Sequence, residues 1–308
     1  MQKPLLVLAG PTAVGKTDLS LRLAQRFNGE IVSADSRLFY RGLDIGTAKP
    51  TAAEQTAVPH HFIDICDPDE TLTLAEYQEQ AYATIDAIHQ RGRLPILVGG
   101  TGQYVLAVVE GWGIPRVPPQ YDLRQALEQL GEPELHRWLR HLDPAKATEI
   151  HPHNVRRVMR ALEVTLVSGR PISELQRKRP PPYQLCWLGL HRDRAELYGR
   201  IDTRVDQMVA AGLLAEVKQL QAAGYGRHLP SMSGLGYRQL LDHLAGKLTL
   251  AEAVERMKFE THRFARQQYT WFRHDDERIV WFDMGEDGVE TAVFAYVKDW
   301  VWRVAGGE

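Results

Sequence analysis

The first hundred residues alternate between short, mainly apolar segments and longer segments in which apolar residues recur at helical spacing. Residues 5–9 form a continuous apolar run, and they and the segments 30–34 and 94–98 are typical of strands buried on both faces of a parallel sheet. Residues 19–27 and 73–90 carry the helical spacing and predict two helices between these strands. Because strands that alternate with helices form parallel sheets, this pattern predicts an α/β fold of the doubly wound kind.

Two proline clusters divide the rest of the chain, one at 115–119 and the other at 180–182. Apolar residues between the clusters recur at helical spacing, and the segment 184–190 alternates like a strand that returns to the sheet. The simplest organisation is a parallel sheet core flanked by helices and interrupted by a helical insertion domain. We expect the first part of the core at 1–115, the insertion at 116–183 and the second part of the core, ending in helices, at 184–308.

Charge is unevenly distributed, although the whole chain has a formal net charge of only -2. The segment 151–204 has eleven Arg or Lys residues against five Asp or Glu residues. Such a segment is a candidate surface for a polyanion, and a solvated helical face is the alternative. Charge alone does not decide between them.

Cysteine usage and hydropathy indicate the environment of the protein. Cys66 and Cys186 are far apart and form no C-x-x-C pair, which excludes a disulfide framework and a cysteine-based zinc site. The pairs His60-His61 and His151-x-His153 have no nearby cysteine, so we expect structural or surface roles for them. No apolar stretch approaches the length of a membrane span. The sequence therefore predicts a soluble, cytoplasmic protein.

The strongest chemical signal follows the first predicted strand. Residues 10–17 match G-x-x-x-x-G-K-[ST], between a buried strand and a helix, which is the context that a P-loop requires. Glycines let backbone N–H groups approach phosphate oxygens, and the N-terminus of the helix adds partial positive charge. Lys16 supplies a cation, and the Thr17 hydroxyl suits a Mg²⁺ ion. The predicted phosphate-binding residues are Gly10, Pro11, Thr12, Ala13, Val14, Gly15, Lys16 and Thr17.

The residues after the other strands argue against nucleotide hydrolysis. The strand at 94–98 is followed by Gly99-Gly100-Thr101-Gly102 and not by the Asp that holds Mg²⁺ in P-loop hydrolases. This loop also lacks the third glycine of a dinucleotide fingerprint. Asp35 follows the strand at 30–34, and a carboxylate at that edge points into the ligand crevice. Asp35 is therefore a candidate general base, with an N-cap of the following turn as the alternative.

Seven motifs together resemble one enzyme family. The most specific is Asp44-Ile-Gly-Thr-Ala-Lys-Pro50, and the resemblance covers the chain from residue 5 to about 282. The set is similar to the tRNA dimethylallyltransferase family, also called tRNA isopentenyltransferases. No Cys follows Cys186, so the chain resembles the bacterial type, without the zinc finger of eukaryotic members. The other six motifs are the P-loop, Ser33-Ala-Asp-Ser36, Val98-Gly-Gly-Thr-Gly102, Arg160-Ala-Leu-Glu163, Gly236-Tyr-Arg238 and Thr270-Trp-Phe-Arg273.

The resemblance assigns roles to particular positions. It implies that the P-loop holds the diphosphate of dimethylallyl diphosphate, with Mg²⁺ near Thr17. It implies that Asp35 is the general base, that Thr101 lies near the diphosphate oxygens, and that Arg204 and Lys16 neutralise the leaving diphosphate. It further implies contacts between the C-terminal helices and tRNA. The tRNA-contacting residues would include Asp35, Ser36, Arg37, Leu38, Arg124, Arg156, Arg157, Val158, Met159, Arg160, Gly236, Tyr237 and Arg238.

The implied reaction is transfer of a dimethylallyl group to N6 of adenosine 37 in the anticodon loop, with release of diphosphate by a monomeric enzyme. Three other interpretations remain open at this point: prenylation of a free adenine nucleotide, phosphate transfer by a small-molecule kinase, and non-catalytic RNA binding. A free nucleotide needs no basic insertion, which favours tRNA over AMP, ADP or ATP as the acceptor. Lys16, Asp35, Thr101 and Arg204 together argue against a non-catalytic module.

Three positions depart from the family pattern, and one helical segment has two interpretations. Gln103 and Phe264 replace an apolar residue and a tyrosine, and the segment 231–235 lacks an arginine that some members have. The segment 256–273 contains five basic residues and one Glu, with aromatic residues interleaved. This pattern fits RNA contacts, whereas an amphipathic core helix would place the aromatic side chains in the interior.

Overall fold

A computed structural model describes residues 3–306 and contains one six-stranded sheet, in which every neighbouring pair of strands is parallel. The strand order is β3-β2-β4-β1-β5-β6. The predicted α/β fold with a parallel sheet is therefore confirmed. The strands are β1 (Lys3–Ala9), β2 (Gly29–Ser33), β3 (His60–His61), β4 (Leu94–Gly99), β5 (Tyr183–His191) and β6 (Ile279–Asp283).

The central strand β1 explains why the first apolar run has no polar residue. β1 pairs with β4 on one side and β5 on the other, so that Leu6 lies opposite both Ile96 and Cys186. Its residues 5–9 are fully buried. Because the carboxyl ends of parallel strands meet at one edge, the loops after β1, β2 and β4 converge there.

Fourteen α-helices lie within residues 3–306. Three of them begin with a capping box, as at Thr73 and Glu76. The Thr side chain accepts the backbone N–H of the Glu three residues later, and the Glu side chain accepts the backbone N–H of the Thr. The helices are α1 (Lys16–Arg26), α2 (Ala52–Ala57), α3 (Leu74–Gln90), α4 (Gly102–Glu110), α5 (Tyr121–Glu128), α6 (Glu132–Leu142), α7 (Pro144–Glu149), α8 (Val155–Ser168), α9 (Ile172–Leu175), α10 (Arg194–Ala210), α11 (Leu213–Ala222), α12 (Tyr237–Leu244), α13 (Leu250–Gln268) and α14 (Val289–Val304). None of them is long and apolar enough to cross a membrane.

The chain divides into two compact units, one formed by residues 1–106 and 182–308 and the other by residues 107–181. The second unit corresponds to the insertion that we placed at 116–183. It begins earlier because α4 continues past residue 107, and it ends earlier because Tyr183 already pairs with Lys3 in the sheet. The ends of this unit are tied together where the Arg179 N–H donates to the Gly111 carbonyl at 2.7 Å.

Each unit has its own hydrophobic core. In the insertion, buried leucines and valines of α6 and α8 pack together, among them Leu135, Leu139 and Val158. In the larger unit, one core surrounds the sheet, and a second core packs α11, α12 and α13 against two loops, one after β2 that contains Leu43 and one after β3 that contains Cys66. This second core supports the loop after β2 and therefore one side of the crevice at the carboxyl edge of the sheet.

Candidate active site around the P-loop

The P-loop has the backbone geometry that phosphate binding requires. Gly10 and Gly15 have φ values of +155° and +113°, which side-chain-bearing residues rarely adopt. A Cβ atom on Gly10 would lie 2.7 Å from the Leu190 carbonyl oxygen, so the close approach of β5 also requires glycine. Gly15 precedes α1 and provides no side-chain cap. The first N–H groups of α1 are therefore left to bind an anion.

Lys16 lies within this loop and is bonded to it. Its Nζ donates to the carbonyl oxygens of Gly10 at 2.9 Å and Pro11 at 2.6 Å. Burial lowers the pKa of Lys16 to about 7; the charge of Asp35 opposes this shift, and that of Arg204 adds to it. A bound anion would favour the charged ammonium, so binding of diphosphate and protonation of Lys16 should be coupled.

Asp35 follows β2 by two residues and has one oxygen engaged. Its Oδ1 accepts the Arg37 N–H at 3.0 Å, which is the turn-capping contact that the sequence left as the alternative to a general base. Its Oδ2 has no hydrogen-bond partner among residues 3–306. Asp35 thus caps the turn with one oxygen and presents the other to the cavity that it lines.

A cavity of about 960 Å³ brings the candidate catalytic residues together. Asp35, Thr101 and Arg204 all line it, together with Thr12 of the P-loop. Arg204 comes from α10 and makes no hydrogen bond or ion pair within the described part of the chain. Burial lowers the pKa of Arg204, and the neighbouring Arg200 lowers it further. An unpaired, half-buried guanidinium beside the P-loop is suited to binding an anion.

Comparisons with known proteins agree with this arrangement. A family model described as IPP transferase matches residues 38–275. A tRNA dimethylallyltransferase of Roseiflexus sp. (strain RS-1) is 57% identical over 274 residues, which cover 88% of this chain and 90% of the relative. The chain belongs to the tRNA dimethylallyltransferase family.

Further members of the family resemble this transferase along its length. A tRNA dimethylallyltransferase of Chloroflexus aggregans is 54% identical, over 90% of this chain and 95% of the relative. The tRNA isopentenylpyrophosphate transferase from Bacillus halodurans, known from a crystal structure, has 42% sequence identity to this chain and a TM-score of 0.75. The match covers 99% of this chain and 98% of the Bacillus chain. The structure of a eukaryotic dimethylallyltransferase acting on tRNA has 28% sequence identity and a TM-score of 0.87, and the match covers 98% of this chain and 80% of the eukaryotic chain. These findings confirm the predicted family.

Gln268, near the end of α13, connects two loops of the transferase site and was not predicted. Its Oε1 accepts the Thr12 N–H at 2.8 Å, and its Nε2 donates to the Gly100 carbonyl at 2.9 Å. The side chain is almost completely buried. A polar residue on the buried side of an amphipathic helix was the available signal. Gln268 also explains Gly100, because a Cβ atom there would collide with its amide.

The motif at 44–50, which is the most specific one in the sequence, is held by a carboxylate that we did not predict. The Glu216 carboxylate on α11 accepts hydrogen bonds from the backbone N–H groups of residues 44–46, the shortest from Ile45 at 2.7 Å. It also accepts a hydrogen bond from the Tyr237 hydroxyl at 2.6 Å. Lys49 of the motif is buried and pairs with Asp44 and Asp64. Because three residues of the motif line the cavity, its rigidity fixes part of the cavity wall.

The predicted tRNA-contacting residues of the larger unit line the same cavity, except Leu38, but several are internally bonded. Arg37 donates to the carbonyl oxygens of Pro230 and Ser231, both at 3.0 Å. Arg238 is paired with Glu260. Ser36 and Gly236 also line the cavity, and Leu38 is half-buried in the turn after Asp35. This stretch therefore shapes the cavity at least as much as it presents charge.

The predicted tRNA-contacting residues of the insertion fall into two groups. Arg124 and Arg160 both bond the buried carboxylate of Glu163, at distances of 2.8 Å and 2.5 Å. Val158 and Met159 lie in the core of the insertion. Only Arg156 and Arg157, in the first turn of α8, are exposed. They are the residues of this predicted stretch with side chains available to a polyanion.

Histidines of both predicted pairs contact other groups of the protein. His60 contacts the Val58 carbonyl, His61 contacts Glu30, and His153 contacts Glu132. Within residues 3–306 there is no group of three or more His, Cys, Asp or Glu residues able to hold a metal ion.

Proposed function

We propose that this enzyme transfers a dimethylallyl group from dimethylallyl diphosphate to N6 of adenosine 37 in the anticodon loop of tRNA and releases diphosphate. The observation that carries the proposal is the single cavity that places Asp35, Thr101 and Arg204 beside the P-loop. Relatives with the name tRNA dimethylallyltransferase and a structural neighbour described as acting on tRNA support the same reaction.

The P-loop and its neighbouring cations would hold the donor. Diphosphate oxygens would accept from the N–H groups at the start of α1, and the Lys16 ammonium would move from the loop carbonyls to the anion. Arg204 would stabilise negative charge as the bond between the allylic carbon and oxygen breaks. The electron pair of that bond leaves with the diphosphate.

We propose Mg²⁺ as the cofactor, held by Thr17 and by diphosphate oxygens. The Thr17 hydroxyl has no hydrogen-bond partner among the described residues and lies in the first turn of α1, so it fits this role. Mg²⁺ commonly uses one or two protein ligands with substrate phosphates and water, which suits a site without a carboxylate cluster. Bound there, the ion would neutralise charge on the leaving group.

Asp35 would act on the acceptor. Its Oδ2 can accept the proton that N6 loses as the new bond between nitrogen and carbon forms. The adenine must leave its stack to reach this carboxylate, as loop bases in RNA can. A cavity of about 960 Å³ is large enough for an adenine and a five-carbon chain.

We propose that a monomer performs this reaction in the cytoplasm. Both cysteines are buried and unpaired, which suits a reducing compartment.

The decisive experiment combines labelled dimethylallyl diphosphate and Mg²⁺ with either tRNA or AMP. We expect label in tRNA and none in AMP, whereas label only in AMP would contradict the proposed acceptor. The variant Asp35→Asn keeps an oxygen that can accept the Arg37 N–H but cannot serve as a base. It should lower kcat by about 10²- to 10⁴-fold and leave tRNA affinity within a factor of about two. Equal losses of affinity and turnover would assign Asp35 a structural role.

A further inference from the structure

One face of α13 forms a wall of the cavity and contains an exposed phenylalanine. Arg256, Phe259, Arg263 and Gln267 follow one another at intervals of three or four residues, and all four line the cavity. The Phe259 ring is 65% exposed. The opposite face of the helix, with Ala253, Ala265 and Gln268 among its residues, is buried in the protein. The core-helix interpretation of this segment therefore does not apply to Phe259.

The exposure of Phe259 has no structural explanation within the protein. No aromatic ring packs against it among residues 3–306, and it belongs to none of the three hydrophobic cores described above. A lone exposed aromatic residue on a protein surface needs no explanation by itself. This one, however, lines the cavity that contains the candidate base and the P-loop.

The charge of the cavity indicates what the ring can meet. Three acidic residues line it, Asp35, Asp242 and Glu260, and the last two are already paired with arginines of the wall. Arg263, one turn from Phe259, has no partner among the described residues. Against these three acids the wall has six arginines: Arg37, Arg204, Arg227, Arg238, Arg256 and Arg263.

An exposed aromatic ring among cationic side chains is the combination that binds single-stranded nucleic acid. The ring stacks on a base, and the guanidinium groups contact the phosphates on either side. A free nucleotide has one base, which the reaction itself places at Asp35. A stacking ring elsewhere on the wall is therefore useful only to an acceptor with a second unstacked base, such as an RNA loop.

We propose that Phe259 is a positioning residue that stacks on a nucleobase adjacent to the target adenosine, with Arg263 contacting the neighbouring phosphate. This inference rests on the proposed function, since it assigns a second base contact at the same site. It makes Phe259 a determinant of the preference for a loop over a mononucleotide.

The test compares Phe259→Ala, Phe259→Trp and Trp302→Ala in the full-length enzyme, with an anticodon stem-loop as the acceptor. Trp302 is a matched control, an aromatic residue on α14 that is 52% exposed and does not line the cavity. Phe259→Ala should raise KM for the stem-loop by about 5- to 100-fold, with kcat changed less than twofold. Phe259→Trp should retain the wild-type KM, and Trp302→Ala should not change it.

Modified stem-loops identify the contact. Loops with an abasic residue on the 5′ or the 3′ side of the target should show which base stacks. On the loop that lacks this base, Phe259→Ala should have no further effect, as a double-mutant cycle requires. The slope of log KM against log salt should remain unchanged in Phe259→Ala and should decrease in Arg263→Ala.

The outcomes separate the inference from the proposed function. If the wild-type enzyme transfers no label to any RNA, the proposed function fails whatever the variants do. If the wild-type enzyme is active and Phe259→Ala behaves like Trp302→Ala, the stacking role is wrong. A change of oligomeric state in Phe259→Ala at unchanged KM would also overturn it, because the ring would then belong to an interface between copies.

Discussion

Two candidate catalytic cations, Lys16 and Arg204, differ in their bonding partners from two arginines of the insertion. Arg204, which lines the cavity, has no partner among residues 3–306, and Lys16 of the P-loop is bonded only to carbonyl oxygens of its own loop. In the insertion, Arg124 and Arg160 share the fully buried carboxylate of Glu163. Similar side chains thus serve opposite purposes. Unpaired cations are available to a ligand, whereas paired cations hold the fold together.

This difference shows that a family motif does not distinguish binding from support. The Arg160-Ala-Leu-Glu163 motif resembles a tRNA-contacting stretch, yet its first and last residues bond one another. Among the predicted tRNA-contacting residues of the insertion, only the exposed Arg156 and Arg157 have charge that no partner in the described residues neutralises. The comparison therefore supports the catalytic role proposed for Arg204 and indicates a structural one for Arg124 and Arg160.

Removing the unpaired guanidinium should have the largest effect on turnover. We expect Arg204→Ala to lower kcat by about 10²- to 10³-fold, because the leaving diphosphate loses a pre-positioned cation. The melting temperature should remain within about 2 °C of the wild type, since no internal bond is lost. Rapid-quench transfer assays and thermal melts measure the two quantities. A large drop in melting temperature with normal kcat would reverse the assignment.

Removing the shared carboxylate should affect stability instead. Glu163→Ala leaves two arginines facing a buried gap and should destabilise the insertion by about 3 kcal/mol. Despite burial, which acts in the opposite direction, hydrogen bonds from Arg124, Gln120 and Arg160 lower the pKa of Glu163 from 4.5 to about 2. Its contribution to wild-type stability is therefore present above pH 4.5 and lost as pH falls towards 2.

Denaturation of both proteins across this pH range tests the assignment. The stability difference between wild type and Glu163→Ala should shrink as the carboxylate becomes protonated. A difference that is independent of pH would mean that Glu163 stabilises the insertion by packing alone. Alanine at the exposed Arg140 of the same unit is the control and should change stability by less than about 0.5 kcal/mol.

The protonation of Lys16 should have a smaller effect, which is visible in how the affinity for the donor depends on pH. With a pKa of about 7 in the unliganded site, Lys16 is charged below pH 7 and must take up a proton to bind an anion above it. Affinity for an unreactive diphosphate analogue should therefore fall by up to about tenfold per pH unit above 7. Calorimetry in buffers of different ionisation enthalpy should detect the proton uptake. Lys16→Arg, which stays charged, should bind with a flatter profile.

The sequence predicted those parts of the fold and site that depend on neighbouring residues. The continuous apolar run of β1, the glycines of the P-loop and the helical spacing of α3 are local, and the predictions for them agree with the structure. The position of Asp35 at the carboxyl edge of the sheet followed from the rule that ligand crevices lie at the ends of parallel strands. The meeting of Asp35 with Thr101 and Arg204 was implied only by the resemblance.

The contacts that sequence reasoning missed join distant parts of the chain. Gln268 bonds Thr12 across 256 positions, and Glu216 bonds Asp44 across 172. No periodicity links such positions, because both partners are polar residues whose burial depends on tertiary packing. Strand β6 was missed because only Ile279 is buried in it, so it has no continuous apolar run. Phe259 was missed because an aromatic residue in a helical pattern usually belongs to the core.

The double hydrogen bond of Gln268 has a thermodynamic consequence. It joins α13 to the backbone of the P-loop, while Phe259 on the same helix lines the cavity. If RNA binding shifts α13, the shift is passed through Gln268 to the P-loop and changes the affinity of the P-loop for diphosphate. The diphosphate must then change the affinity for RNA by the same factor. One buried amide would thus make the occupancy of each substrate site sensitive to that of the other.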